Sequence, residues 1–131
     1  MNPSKILIIE DTDVIAMDLQ KKFKNWGYNS IKTASSQEAL EKANKIKPNL
    51  IIMDIDLKNE NGINLAKKIM NNIDTALIYI TDYLDDENRD LMRITRPYGY
   101  ISKNYEENQI KYTIEDAIYR HKIHQNFIIS K

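Results

Sequence analysis

The sequence predicts a doubly wound α/β domain: a five-stranded parallel sheet with helices on both faces. Three observations lead there. Short apolar runs at Ile6–Ile9, Leu50–Met53 and Ala76–Ile80 alternate with longer segments of helical periodicity. The runs are continuous rather than alternating, the pattern of strands buried on both faces. Five successive βα units need crossover connections, which place helices on both sides of one sheet. The 131 residues include 42% hydrophobic residues and only 3 Gly and 3 Pro, the size and composition of one compact domain. With no repeat, low-complexity tract or linker, residues 1–131 read as a single domain.

Taken in order, Ile6-Leu7-Ile8-Ile9 forms the first strand and stops at Glu10-Asp11. Residues 13 to 26 form a helix, with Ile15, Leu19 and Phe23 at i, i+4 spacing and Gly27 at the C-terminal stop. A weaker strand spans Ser30 to Ala34. Ser35-Ser36-Gln37-Glu38 has capping-box spacing and opens a helix with Ala39, Leu40, Ala43 and Ile46 on one face, closed by Pro48. Leu50 to Met53 is the third strand and ends on Asp54. After a loop over Asn59–Gly62, Ile63, Ala66, Ile69 and Met70 mark the third helix. Ala76 to Ile80 is the fourth strand, ending on Thr81. A short polar helix covers Asp85 to Ile94, Tyr98 to Ser102 is the last strand, and a long helix runs from about Glu106 to about 128.

Composition excludes several function classes. There is no Cys, hence no disulfide framework, zinc ribbon or thiol nucleophile. Lys+Arg and Asp+Glu are both 19, so no basic excess points to nucleic acid or an anionic membrane. No apolar run nears the roughly 20 residues that span a bilayer, and the start is no signal peptide. A cytoplasmic protein without nucleic-acid or membrane contacts is expected.

In doubly wound sheets the ligand site lies beyond the carboxyl ends of the strands, at the topological switch point. Those ends carry Glu10-Asp11, Asp54, Thr81 and Lys103. Converging carboxylates repel by about 4 kcal/mol per close pair at an effective dielectric near 20. A hard divalent cation relieves that conflict, and Mg²⁺ suits a few carboxylate oxygens, waters and a phosphate oxygen. With a hydroxyl and an ammonium beside them, the set suits phosphoryl chemistry: a carboxylate nucleophile, and cations to neutralise the equatorial oxygens.

An acidic pair after strand one, Asp after strand three, Thr after strand four and Lys after strand five resemble the receiver domain of two-component response regulators. The resemblance covers about Lys5 to Arg120. It implies a flavodoxin-like sheet of order 2-1-3-4-5, with Asp54 as phospho-acceptor. It further implies Mg²⁺ held by Glu10, Asp11, Asp54 and the backbone carbonyl of Asp56. Thr81 matches the switch hydroxyl, Lys103 the family lysine, Tyr100 the switch aromatic and Gly62 the glycine after the third βα loop. The implied partner is a sensor histidine kinase or a phosphotransfer protein, and the face of helix 4, strand 5 and helix 5 is an expected homodimer surface. Such a domain catalyses only its own phosphorylation and dephosphorylation.

Two residues depart from the family pattern. Asn104 stands where Pro usually follows the lysine, and a cis bond before a non-proline costs about 2.5–4 kcal/mol, so a trans bond and a shifted Lys103 are expected there. Asp82 replaces the usual small residue after the switch hydroxyl and adds a carboxylate at the rim as a site-modulating group.

Other readings of the same residues stand beside these. Asp11, Thr12 or Asp13 serves equally as an N-cap; Asp56 rivals Asp54 as nucleophile; Thr81 suits any strand end and Lys103 any surface. Tyr100 reads also as core or edge packing, and Asp82 as a cap of the fourth helix. A receiver-like interaction module that is not phosphorylated is one alternative. A haloacid-dehalogenase-type phosphatase is another, because Asp54-Ile55-Asp56 has that family's Asp-x-Asp spacing. His121 and His124, at i, i+3, read as solvated surface residues rather than metal ligands. In the last helix, Ile110, Ile114 and Ile118 read as core. Phe127 and Ile128 continue the stripe as a connector or dimer contact.

Overall fold

A computed structural model of the chain describes residues 4–82 and 86–129. Five parallel strands, β1 (Lys5–Ile9), β2 (Asn29–Thr33), β3 (Leu50–Asp54), β4 (Ala76–Thr81) and β5 (Gly99–Ser102), pair in the order β2-β1-β3-β4-β5. The connecting helices are α1 (Asp13–Asn25), α2 (Ser36–Ile46), α3 (Gly62–Met70) and α4 (Asp86–Met92), and α5 (Glu107–Ile129) follows β5. No described helix is long and apolar enough to cross a membrane.

The period of two along each strand divides the core. Ile6, Ile8, Ile52, Ile78 and Ile101 face α1 and α5, where they meet Leu19, Phe23, Ile110 and Ile114. Leu7, Ile9, Ile51, Met53 and Tyr79 face the other way and meet Ala39, Ala43, Leu65 and Ile69 of α2 and α3. Every residue of β3 and β4 is buried. Burying one such side chain contributes roughly 1.5–3 kcal/mol, so these central strands fix the sheet rigidly. The chain turns to opposite sides after β1 and after β3, and the two strands pair in register from Ile6–Leu50 to Ile9–Met53. Their carboxyl ends therefore meet at the switch point.

The element ends follow local chemistry. Helix α1 stops one residue before the expected end, with Trp26 at its C-cap and Gly27 at φ +90°, a conformation that costs glycine no side-chain clash. Only half of the expected capping box forms at α2. Ser35 Oγ accepts from the Glu38 N–H at 3.1 Å, while the Glu38 carboxylate turns to Lys42 at 2.6 Å. The second strand begins one residue earlier than expected and, at the sheet edge, alternates exposed and half-buried residues up to the buried Thr33. Gly62, expected in a loop, is the first residue of α3, and Asn61 Oδ1 caps that helix through the Ile63 N–H at 2.7 Å. The fourth helix yields to a 3₁₀ turn at Arg93–Thr95, and its expected start at Asp85 lies outside the described residues.

One expectation is corrected. His121 is not a solvated surface residue: it is buried on α5, with Nε2 2.9 Å from Asp74 Oδ1. The α3–β4 loop, 47 residues away in sequence, supplies the partner that makes this burial tolerable. His124 is exposed, as expected. In α5, Ile110, Ile114 and Ile118 are core, whereas Phe127 is exposed; the Ile128 side chain lies outside the described residues.

Candidate functional site

Glu10 follows β1 and Asp54 ends β3, and both side chains are buried; Asp11 is half-buried beside them. One carboxylate oxygen from each of the three lies within 4.8 Å of the others. From the end of β5, Lys103 brings Nζ to 3.2 Å from Asp54 Oδ2 and 3.9 Å from Glu10 Oε2. Its backbone N–H donates to the Thr81 carbonyl at 3.0 Å, continuing the β4–β5 ladder by one bond.

Backbone donors orient the acids. The Thr12 N–H donates to Glu10 Oε1 at 3.0 Å, and the Asp56 N–H to Asp54 Oδ1 at 3.0 Å. Asp11 Oδ2 accepts from the Lys58 N–H at 2.8 Å, which ties the β1–α1 loop to the β3–α3 loop. Asp11 is thus turned towards the acidic cluster and the β3–α3 loop. Thr12, the residue that stands at the N-cap of α1, makes no side-chain capping bond. Lys58 is a site residue that sequence reasoning missed, because it acts through its backbone and no side-chain pattern marks it.

Burial pushes the Glu10 carboxyl up to about 7; Asp54 adds to the shift, while the Thr12 N–H and Lys103 oppose it. Burial also works against the Lys103 ammonium, but Asp54 and Glu10 outweigh it and hold its pKa above the ordinary lysine range. Glu10 Oε2 is buried without a hydrogen-bond partner. A buried carboxylate oxygen that accepts no hydrogen bond, with its nearest ammonium only at 3.9 Å, costs free energy that a bound cation would recover. Three carboxylates of this arrangement fit a hard divalent ion.

The residue pattern, the sheet order and this cluster converge on one family, and its model, the response regulator receiver domain, matches residues 6–115. The chain belongs to the response regulator receiver domain family. Over 122 residues it is 32% identical to the transcriptional regulatory protein PdtaR of Mycobacterium tuberculosis, covering 90% of this chain and 58% of that protein. The chain thus spans little more than half of that relative's length. It is 37% identical over 65 residues to the alkaline phosphatase synthesis transcriptional regulatory protein PhoP of Bacillus subtilis, covering 50% of this chain and 27% of that protein. Among solved structures, a CheY-like receiver from Methanospirillum hungatei superposes with a TM-score of 0.88 at 23% identity, covering 93% of this chain and 98% of that one.

Within this receiver domain, Thr81 is buried at the end of β4, one residue past Ile80, which pairs with Asp54. Tyr100 pairs with Tyr79 and is half-buried against the α2–α3 side of the core. Asp82 is exposed, outside the three-acid cluster, and adds a minor share to the field that raises Lys103. Whether Asp82 caps α4 falls on residues 83–85, outside the described residues. The expected displacement of Lys103 does not occur: no described peptide bond is cis, yet Nζ reaches Asp54. The phosphatase reading falls with the family assignment, and Asp56, which that reading needs as a second site carboxylate, is an exposed residue.

Proposed function

We propose that Asp54 accepts a phosphoryl group from a phosphohistidine of a sensor histidine kinase or phosphotransfer protein. The observation that carries this reading is the convergence of Glu10, Asp11 and Asp54 within 4.8 Å, with Lys103 at 3.2 Å from Asp54. An oxygen of Asp54 attacks phosphorus in line; the bond from phosphorus to the imidazole nitrogen breaks, and that nitrogen keeps the electron pair. Glu10, Asp11, Asp54 and the Asp56 carbonyl would hold Mg²⁺, which when bound supplies positive charge for the equatorial oxygens. The Asp56 N–H fixes one acceptor oxygen, and Lys103 neutralises the developing charge beside the other.

Thr81 and Lys103 then hold the acyl phosphate, and Tyr100 follows inward. This biases the surface of α4, β5 and α5 between two states. Exposed Leu91, Ile94, Tyr112 and Tyr119 on α4, the 3₁₀ turn and α5 make that surface the proposed homodimer contact. The last turns of α5, past residue 115 and with Ile123 and Phe127 exposed, are proposed as a connector. A cytoplasmic location belongs to this reading, and the balanced charge supports a domain without nucleic-acid contacts of its own. Intact mass after incubation with acetyl phosphate and Mg²⁺ tests the reading. One added phosphoryl group, lost in Asp54→Ala and in excess chelator, supports it. Labelling that survives either change overturns it.

A further inference from the structure

Lys103 must place its ammonium against Asp54 from a loop that has no proline to stiffen it. That loop is tied to the sheet by the Lys103 N–H on the Thr81 carbonyl, and internally by the Asn104 N–H on Ser102 Oγ at 3.2 Å. Two residues past Lys103, Tyr105 reaches across to α1, where its hydroxyl donates to Asp18 Oδ2. The same Asp18 oxygen receives Lys22 Nζ at 2.6 Å, and that ammonium also lies 5.4 Å from the centre of the Tyr105 ring. Donor, acceptor and cation close on one another. Lys22 and the Tyr105 hydroxyl together hold the Asp18 carboxyl below its usual range, so the acceptor stays charged at neutral pH and the bond is charge-assisted.

The location gives this triad its meaning. Helix α1 begins at Asp13, separated from the acidic pair Glu10-Asp11 by Thr12 alone, whereas Lys103 arrives from β5 at the far edge of the sheet, with β3 and β4 between β1 and β5. The Tyr105–Asp18 bond spans 87 residues of sequence and joins the helix behind the acids to the loop that carries the ammonium. We propose that Tyr105 and Asp18, braced by Lys22, form a latch that positions Lys103 on Asp54 for phosphoryl transfer. In this role Tyr105 and Asp18 are positioning residues; they touch neither Asp54 nor Glu10. The inference rests on the phospho-acceptor reading above and adds to it a determinant of how fast the acceptor reacts.

The test is a double-mutant cycle on the rate of Asp54 labelling by acetyl phosphate in saturating Mg²⁺, followed by intact mass. Tyr105→Phe keeps the ring and removes one hydroxyl. It is expected to slow labelling about three- to tenfold, a part of one charge-assisted hydrogen bond transmitted to the barrier. Asp18→Asn, the second probe, should slow it similarly, and the two together no more than either alone. In a Lys103→Met background Tyr105→Phe should change nothing further, because no ammonium remains to position. A purely structural role would lower the unfolding midpoint and slow labelling equally in both backgrounds. Wild-type labelling with an unchanged Tyr105→Phe rate, or with a loss that persists beside Lys103→Met, overturns the latch alone. No wild-type labelling at all overturns the phospho-acceptor reading, and the latch with it.

Discussion

Gly62 opens α3 so close to the end of β3 that a Cβ on it would lie 2.1 Å from the Asp54 carbonyl oxygen and 2.8 Å from Ile55 Cα. The Gly62 N–H donates to the Ile55 carbonyl at 2.9 Å, which holds the two segments at this distance. The backbone that carries Asp54 is thus set by a residue with no side chain.

Gly62→Ala should therefore force β3 and α3 apart. Overpacking against backbone costs about 1–3 kcal/mol, and the displaced Asp54 should bind Mg²⁺ more weakly. Urea unfolding and metal titration of the variant measure both. An unchanged midpoint and an unchanged affinity would show that the helix start relaxes without cost.

Glu10 gives a pH dependence with a definite sign. Its carboxyl moves from 4.5 to about 7 on folding, through burial first and Asp54 second. Between those values the metal-free folded domain binds more protons than the unfolded chain, so its stability should fall as pH rises through that window. Mg²⁺ needs the ionised form, so its affinity should climb over the same range and each bound ion should release a proton. Calorimetric titration in buffers of different ionisation enthalpy reads the proton release directly. Glu10→Gln should abolish it; an affinity independent of pH would refute this assignment.

Asp82 supplies a test of charge at the rim. Removing it in Asp82→Ala should speed labelling by an anionic donor and weaken Mg²⁺ binding. Each change should be about tenfold or less, since a partly solvated charge a few ångströms away supplies ~1 kcal/mol. If Asp82 acts instead as a helix cap, the variant should lose stability and label at the wild-type rate. Stopped labelling assays paired with thermal melts separate the two outcomes.

His121 and Asp74 tie α5 to the α3–β4 loop away from the acidic cluster. His121, ahead of Gln125, holds the Asp74 carboxyl below its ordinary range. A carboxylate of that kind contributes stability above its unfolded pKa, and the contribution is lost as pH falls through the folded value. Asp74→Asn should lower the unfolding midpoint at neutral pH and flatten the acid limb of the stability profile. Labelling of Asp54 should be unaffected. Parallel pH profiles of the two proteins would expose any role of this pair in the chemistry.

The strand ends at Glu10, Asp54 and Thr81 were legible because the central strands are apolar on both faces, so each run halts visibly there; Lys103 follows the mixed edge strand β5 and was matched by its position in the family pattern. The same uniformity hid which face each side chain takes: Ile8 and Ile9 look alike in sequence and point to opposite helix layers. Backbone ligation was invisible for a different reason, since the Lys58 N–H that orients Asp11 comes from a residue whose side chain plays no part in that contact. Long-range pairs were hidden as well. His121 with Asp74 and Tyr105 with Asp18 join residues 47 and 87 apart, and no local periodicity records them. Gly62 could be matched by position, but its necessity rests on a carbonyl eight residues earlier, met only in the fold.

Trapping the acyl phosphate decides whether the phosphoryl group resides on Asp54. Borohydride reduces an aspartyl phosphate to homoserine, which peptide mass mapping then locates in the chain. After incubation with acetyl phosphate and Mg²⁺, homoserine is expected at position 54 and nowhere else. Homoserine at Asp11 or Asp56, or an unmodified peptide from a protein that has gained phosphoryl mass, would contradict it.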